Sequence, residues 1–425
     1  MWARLWGGVK GTKAPNDDIV ALAQQGDAKA QYNLGEMYAT GKGVAQNHKQ
    51  AAAWFSKAAE QGDAAAQLRL GVHYEFGIGM PQDFKQAFTW ISKAAEQGDA
   101  EAQLHLGVNY ELGSQGVPQD DLQAVAWYRK AAEQGYAEAQ FALGLMYSIG
   151  RGVAQDYQQA VAWCCQAAEQ GHAKAQFNLG VMYYHGKGVP QNDLQAVAWY
   201  RKAAEQGYAK AQHNLGVMYT AGEGVPQDDL QAVAWYRKAA EQGYAEAQFN
   251  LGLMYDDGRG VAQDDLQAVA WYRKAAEQGC AEAQFALGLM YSIGRGVAQD
   301  DQQAVAWYRQ AAEQGDAKAQ FNLGLMYDDG RGVAQDYQQA AAWYHQAAEQ
   351  GDAAAQYNLG MMYGKGQGVA QNDWLGYAWI SVSAANGDGQ AARLRDMLAR
   401  RFTPPALAEA QALAGRYILL YSSPS

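Results

Sequence analysis

The sequence predicts an all-α protein, a solenoid of stacked helix hairpins, and three observations carry that expectation. A Leu-Gly pair recurs with its glycine at Gly35, Gly71, Gly107, Gly144, Gly180, Gly216, Gly252, Gly288, Gly324 and Gly360, always 36 residues apart except for the 37 between Gly107 and Gly144. Within each interval, apolar residues fall at helical spacing in two separate runs. Together the two runs hold more apolar surface than a pair of helices can hide from each other. Each hairpin must therefore stack on the next, and a fixed period of this length is the mark of a helical-repeat array.

The stretch Gly243 to Gln278 shows how each element arises. In its first run Ala247, Leu251, Met254 and Tyr255 share one helical face, and Ala245, Phe249 and Leu253 form a stripe beside it. Gly258 and Gly260 then stop the helix, because glycine adopts left-handed dihedrals without steric cost. Asp264 is placed to cap a second helix, with Gln267 three residues on able to reach back. Ala268, Trp271, Tyr272, Ala275 and Ala276 give that helix its apolar face, while Arg273, Lys274 and Glu277 turn outward and Gly279 ends it.

The residues that carry the period read Ala-x-Ala-Gln-x-x-Leu-Gly-x-x-Tyr, then Gly-x-Gly-Val, then Ala-x-x-Trp-Tyr-x-x-Ala-Ala-Glu-Gln-Gly. This pattern resembles the Sel-1-like repeats, relatives of the tetratricopeptide repeats with a slightly longer loop. The resemblance implies a right-handed superhelix of about ten antiparallel helix pairs, and a protein-binding scaffold without a cofactor. Residues 26–386 are read as ten repeats, 1–25 as an N-terminal segment with a partial capping helix, and 387–425 as C-terminal capping helices. The capping helix is expected over Pro15 to Gln25, with Trp2 and Trp6 ahead of it. At the other end Thr403, Pro404 and Pro405 signal a helix start, and Arg395, Arg400, Arg401 and Arg416 solvate the last face. The one extra residue falls among Gly113, Ser114, Gln115 and Gly116, in a turn where an insertion costs little. No linker interrupts the chain, which reads as one elongated domain.

Composition narrows the partners. Lys plus Arg number 33 against 44 acids, a net charge of −11. That argues against nucleic acid and anionic membranes and favours a protein or peptide, basic or neutral. Residues 1–13 contain no apolar run for a signal peptide or a membrane span. The expectation is a cytoplasmic protein, or a periplasmic or secreted one if a leader has been removed. Cys164, Cys165 and Cys280 are too scattered for a disulfide framework.

The resemblance places inward-facing residues six, three and two before the repeat glycine, and one, four and five after it. Two before stands an asparagine in six repeats: Asn33, Asn178, Asn214, Asn250, Asn322 and Asn358. A row of carboxamides offers donors and acceptors to an extended peptide backbone; alternatively each satisfies a nearby helix carbonyl. The aromatic row beside it, including Phe249, Phe285 and Phe321, reads first as packing between repeats. The last first-helix positions vary most: Asp256 with Asp257, Asp328 with Asp329, and Tyr184 with His185. The aspartates suggest a partner carrying Lys or Arg, against the alternative of solvated helix ends.

Catalysis finds no motif: no nucleophile elbow, phosphate-cradling loop or metal helix is present. The Gly-x-Gly-Val loops follow helices and recur as turns. An enzyme, for example one acting on cell-wall material, would need non-repeating acids, His or Cys gathered in the groove, and the sequence singles out no such cluster. An adaptor, or an inhibitor-like protein that embraces one toxin or effector, fits better.

Overall fold

The computed structural model describes residues 17–113 and 117–422. Among these residues 23 α-helices follow one another and no strand occurs. None of the helices is long and apolar enough to cross a membrane. The helices form two compact bodies that divide between Tyr208 and Ala209. The first holds a short helix, Asp17–Gln24, and repeats one to five; the second holds repeats six to ten and two closing helices. Trp2, Trp6, Pro15, Ser114, Gln115 and Gly116 lie outside the described residues.

Repeat seven shows why these residues fold this way. Its first helix, Ala245–Asp257, stops at Gly258, whose φ of 67° is left-handed. Gly260 is also left-handed, at φ 65°, and a Cβ there would collide with the Asp229 carbonyl of the preceding repeat. Both positions therefore require glycine. The second helix, Asp265–Glu277, is capped by Asp264, which accepts a hydrogen bond from the Gln267 N–H at 3.0 Å.

The two helices of a hairpin meet at the repeat glycine. A Cβ at Gly252 would stand 2.6 Å from Cδ1 of Tyr272, and the same holds between Gly216 and Tyr236. Only a hydrogen fits between backbone and ring, so the glycine sets how closely the helices approach. In repeat four Cys164 takes the tyrosine's place against Gly144 and is fully buried.

Successive hairpins within a body are joined by a buried amide. Gln248, 4% exposed, donates from Nε2 to the Ala240 carbonyl in the last turn of the preceding helix at 3.0 Å. Its Oε1 accepts from Gln278 at 2.7 Å. Each such glutamine satisfies a carbonyl that a helix end leaves open and is itself satisfied. In the first body the series begins with Gln31 donating to Ala23 of the Asp17–Gln24 helix at 3.1 Å. In the second it ends at Gln356, which donates to the Tyr421 carbonyl at 3.0 Å and accepts from Asn386 at 2.9 Å. Outside this ladder runs a second link, in which a turn arginine grips an aspartate of the preceding repeat. Arg259 holds Asp229 through two bonds of 2.8 and 3.2 Å.

The closing helix Pro404–Tyr421 begins with proline at its first position and lays Tyr417 and Tyr421 on Trp379, each ring 5.1 Å away. Trp379 is 1% exposed, so this helix covers the apolar face of repeat ten.

The close approach at the glycine predicts opposite outcomes for two Gly→Ala changes. Gly252→Ala should lower the unfolding free energy by about 1–2 kcal/mol, overpacking outweighing the helix-propensity gain. Gly364→Ala, where a Cβ meets nothing within 4 Å, should be neutral or add up to about 1 kcal/mol. Urea unfolding of the two variants measures the contrast.

Candidate functional site: the open face of the first helices

In the first helix of repeat seven Ala247, Gln248, Leu251, Gly252 and Met254 are buried. Glu246, Phe249, Asn250, Leu253, Asp256 and Asp257 keep part of their surface and line up along one side of the helix. The aromatic member leans inward. Phe249 lies 5.8 Å from Tyr272 of its own hairpin and packs on the core of the following repeat. Phe285 and Phe321 repeat this arrangement with Tyr308 and Tyr344 at 5.9 Å, which makes the aromatic row part of the packing.

The two aspartates of each pair have different surroundings. The hydroxyl of the buried Tyr272 donates to Asp256 Oδ2 at 3.2 Å, and Tyr344 donates to Asp328 Oδ2 at 3.3 Å. Tyr128 donates likewise to Glu111 at 2.5 Å, and Tyr236 shares a hydrogen bond with Thr220 at 3.2 Å. The polar residue four beyond the repeat glycine thus serves the tyrosine that packs on that glycine. Asp256 also meets Arg295 from the next repeat's turn, and burial followed by the Asp329 charge raises the Asp328 carboxyl above its usual range. Asp257 and Asp329 point out and are exposed. In repeat five Tyr184 stands edge-on to the exposed His185, ring centroids 4.9 Å apart.

All six asparagines are half-buried. Asn250 donates to Nε2 of His213 at 2.9 Å, and Oδ1 of Asn214 bonds Nδ1 of the same ring at 3.2 Å, so these two are brought together. Asn322 donates to the Lys318 carbonyl of its own helix at 3.0 Å, and Asn358 bonds the Tyr344 hydroxyl. Asn33 and Asn178 belong to repeats one and five of the first body.

The structure also gathers a cluster that sequence reasoning did not single out. Arg69, from repeat two, pairs with Glu36 of repeat one at 3.0 Å and Glu101 of repeat three at 3.5 Å, and bonds Tyr32. Buried His105 lies beside it; burial first, then the Arg69 charge, pushes its pKa down to about 4. The signal was in the sequence, since Arg69 and His105 occupy the position held by asparagine in six repeats. Both carboxylates face the guanidinium, so the cluster ties three repeats together and leaves no open acid–base pair. Burial also raises the thiols, Cys164 to about 12 and Cys280 to about 11, well away from a reactive thiolate. Among the described residues, no group of three His, Cys, Asp or Glu could hold a metal ion.

His73, 1% exposed, stands where most repeats place a buried methionine. Its Nδ1 lies 2.7 Å from the Ile78 carbonyl, and burial lowers its pKa from 6.5 to about 4. A depressed histidine pKa means the unfolded chain takes up the proton first. The associated stability is present above pH 6.5 and is lost as pH falls toward 4. His73→Met should therefore raise the melting temperature more at pH 5 than at pH 7.5, a differential on the order of 2 kcal/mol. Within the glycine contact, Tyr272→Phe should destabilise by about 1 kcal/mol, because Asp256 loses its donor in a half-buried site; chemical unfolding checks it.

Comparison with known proteins places this architecture. The Sel1 repeat matches ten consecutive segments, residues 28–63, 64–99, 100–136, 137–172, 173–208, 209–244, 245–280, 281–316, 317–352 and 353–388. A crystal structure of a protective antigen present in uropathogenic Escherichia coli strains, displaying an SLR fold, is 38% identical. The match covers 96% of each chain, with a TM-score of 0.68. A Sel1 repeat protein from Oxalobacter formigenes is also 38% identical over 73% of this chain and 89% of its own, with a TM-score of 0.58. No curated protein matches the sequence. Ten tandem matches and a relative aligned over nearly its whole length establish that the chain belongs to the Sel1 repeat family.

Proposed function

We propose that this protein is a non-catalytic scaffold that binds protein partners along the exposed face of its first helices. Sel1 repeat proteins are generally protein-interaction scaffolds. One observation supports the specific reading: the buried positions recur almost unchanged while the exposed face does not. Leu251, Leu287, Leu323 and Leu359 are all 0% exposed, but the residue six further along is Asp257, Ile293, Asp329 and Lys365 in the same four repeats. A constant frame carrying a changing surface is how a repeat protein acquires a partner without altering its fold.

A large charge placed on that face should abolish the interaction, and the same charge on the second helices should not. The full chain carrying Asn178→Arg, Ile293→Arg and Asp329→Arg should recover at least tenfold less of its partners from a lysate of its source organism. A chain with Gln158→Arg, Gln231→Arg and Gln302→Arg, all exposed second-helix positions, should recover them at the unaltered level. Quantitative mass spectrometry of the bound fractions reads the result. Loss from the second-helix variant with retention by the first would overturn the reading.

A further inference from the structure

The first helices of repeats four and eight are identical in sequence from Ala137 to Ile149 and from Ala281 to Ile293. In repeat eight, Ala286 replaces the usual asparagine, and Leu289 and Ile293 stand one turn apart, 40% and 54% exposed. The equivalents of Ile293 in the flanking repeats are Asp257 and Asp329, both exposed. An apolar window therefore lies between two carboxylates. Around Ile149, 58% exposed, the equivalents are instead Leu112, 72% exposed, and His185.

Asp257 and Asp329 are each the last residue of a first helix, where the backbone dipole disfavours negative charge. Their neighbours Asp256 and Asp328 have a tyrosine hydroxyl to accept. Among the described residues the outer two make no such hydrogen bond to a tyrosine; Arg259 forms its ion pair with Asp229 while also feeling the Asp257 charge. The protein keeps two exposed carboxylates at the unfavourable ends of first helices, one on each side of an exposed apolar pair.

We propose that the first-helix face of repeats seven to nine docks an extended basic segment of a protein partner. An apolar side chain of that segment covers Leu289 and Ile293, and a cation on either side meets Asp257 and Asp329. This rests on the scaffold reading and gives it a partner chemistry. Neighbouring first helices lie on the order of 10 Å apart, and an extended segment in the polyproline II conformation rises about 3.1 Å per residue with three residues per turn. Every third side chain then faces the protein about 9 Å from the last, a Lys-x-x-Leu-x-x-Lys spacing.

The test uses the full chain and a dye-labelled peptide, Gly-Lys-Ser-Thr-Leu-Ser-Thr-Lys-Gly, followed by fluorescence anisotropy at low salt. The unaltered protein should bind it, and should not bind the same peptide with glutamate in place of both lysines. Asp257→Asn with Asp329→Asn should weaken binding about tenfold while leaving the melting temperature unchanged or higher. Ile293→Ser should weaken it about fivefold, and Ile149→Ser, in the identical helix with other flanks, should change nothing. Equal affinity for both peptides, unaltered binding by the double asparagine variant, or no binding by the unaltered chain would each overturn the proposal. If the peptide fails while the face-charged chain still loses its partners, this docking mode falls and the scaffold reading stands. If that chain keeps its partners, both fall.

Discussion

The contact between the repeat glycine and the ring of the second helix governs the rest of the structure. With 2.6 Å between a hypothetical Cβ at Gly252 and Tyr272, the two helices lie as close as backbone and ring allow. That proximity buries the alanines on either side, Ala247, Ala268, Ala275 and Ala276, to about zero exposure. It also carries the tyrosine hydroxyl across to the far end of the first helix, where a polar partner must await it. Where the glycine faces a tyrosine, as at Gly107, Gly216, Gly252 and Gly324, the side chain four beyond it is thereby drawn into service of the fold, whatever its charge.

Stacking adds a directional requirement to this hydrophobic one. The buried glutamines, 0–5% exposed, connect one hairpin's last carbonyls to the next hairpin's terminal amide. A glutamine left unpaired there would cost more than the bond contributes, so the ladder penalises misregistered neighbours. The turn arginines act at the surface, where their side chains are 36–43% exposed and such pairs contribute modestly. Apolar burial supplies most of the stabilisation, and the amides fix which surfaces meet.

Because the frame is satisfied internally, the residues beyond it are released from structural duty. Asp257, Ile293 and Asp329 stand at equivalent positions and differ in chemistry without altering the helices that carry them. The Arg69 cluster shows the opposite use of the same face, with charges of three repeats turned on one another rather than outward.

The repeat, the helix pairs, their glycine stops and their aspartate caps were legible in the sequence, because each depends on local chemistry renewed every 36 residues. Membership of the Sel1 repeat family was equally legible, and so was the core position of Cys164. Only the tertiary structure separated Asp256 from Asp257 and Asp328 from Asp329. Adjacent residues of like charge differ in sequence by nothing but phase, whereas in space one of each pair meets a tyrosine hydroxyl and the other meets solvent. Only the fold, too, could assemble Glu36, Arg69 and Glu101, since bonds between residues more than thirty positions apart exist once hairpins have stacked and not before.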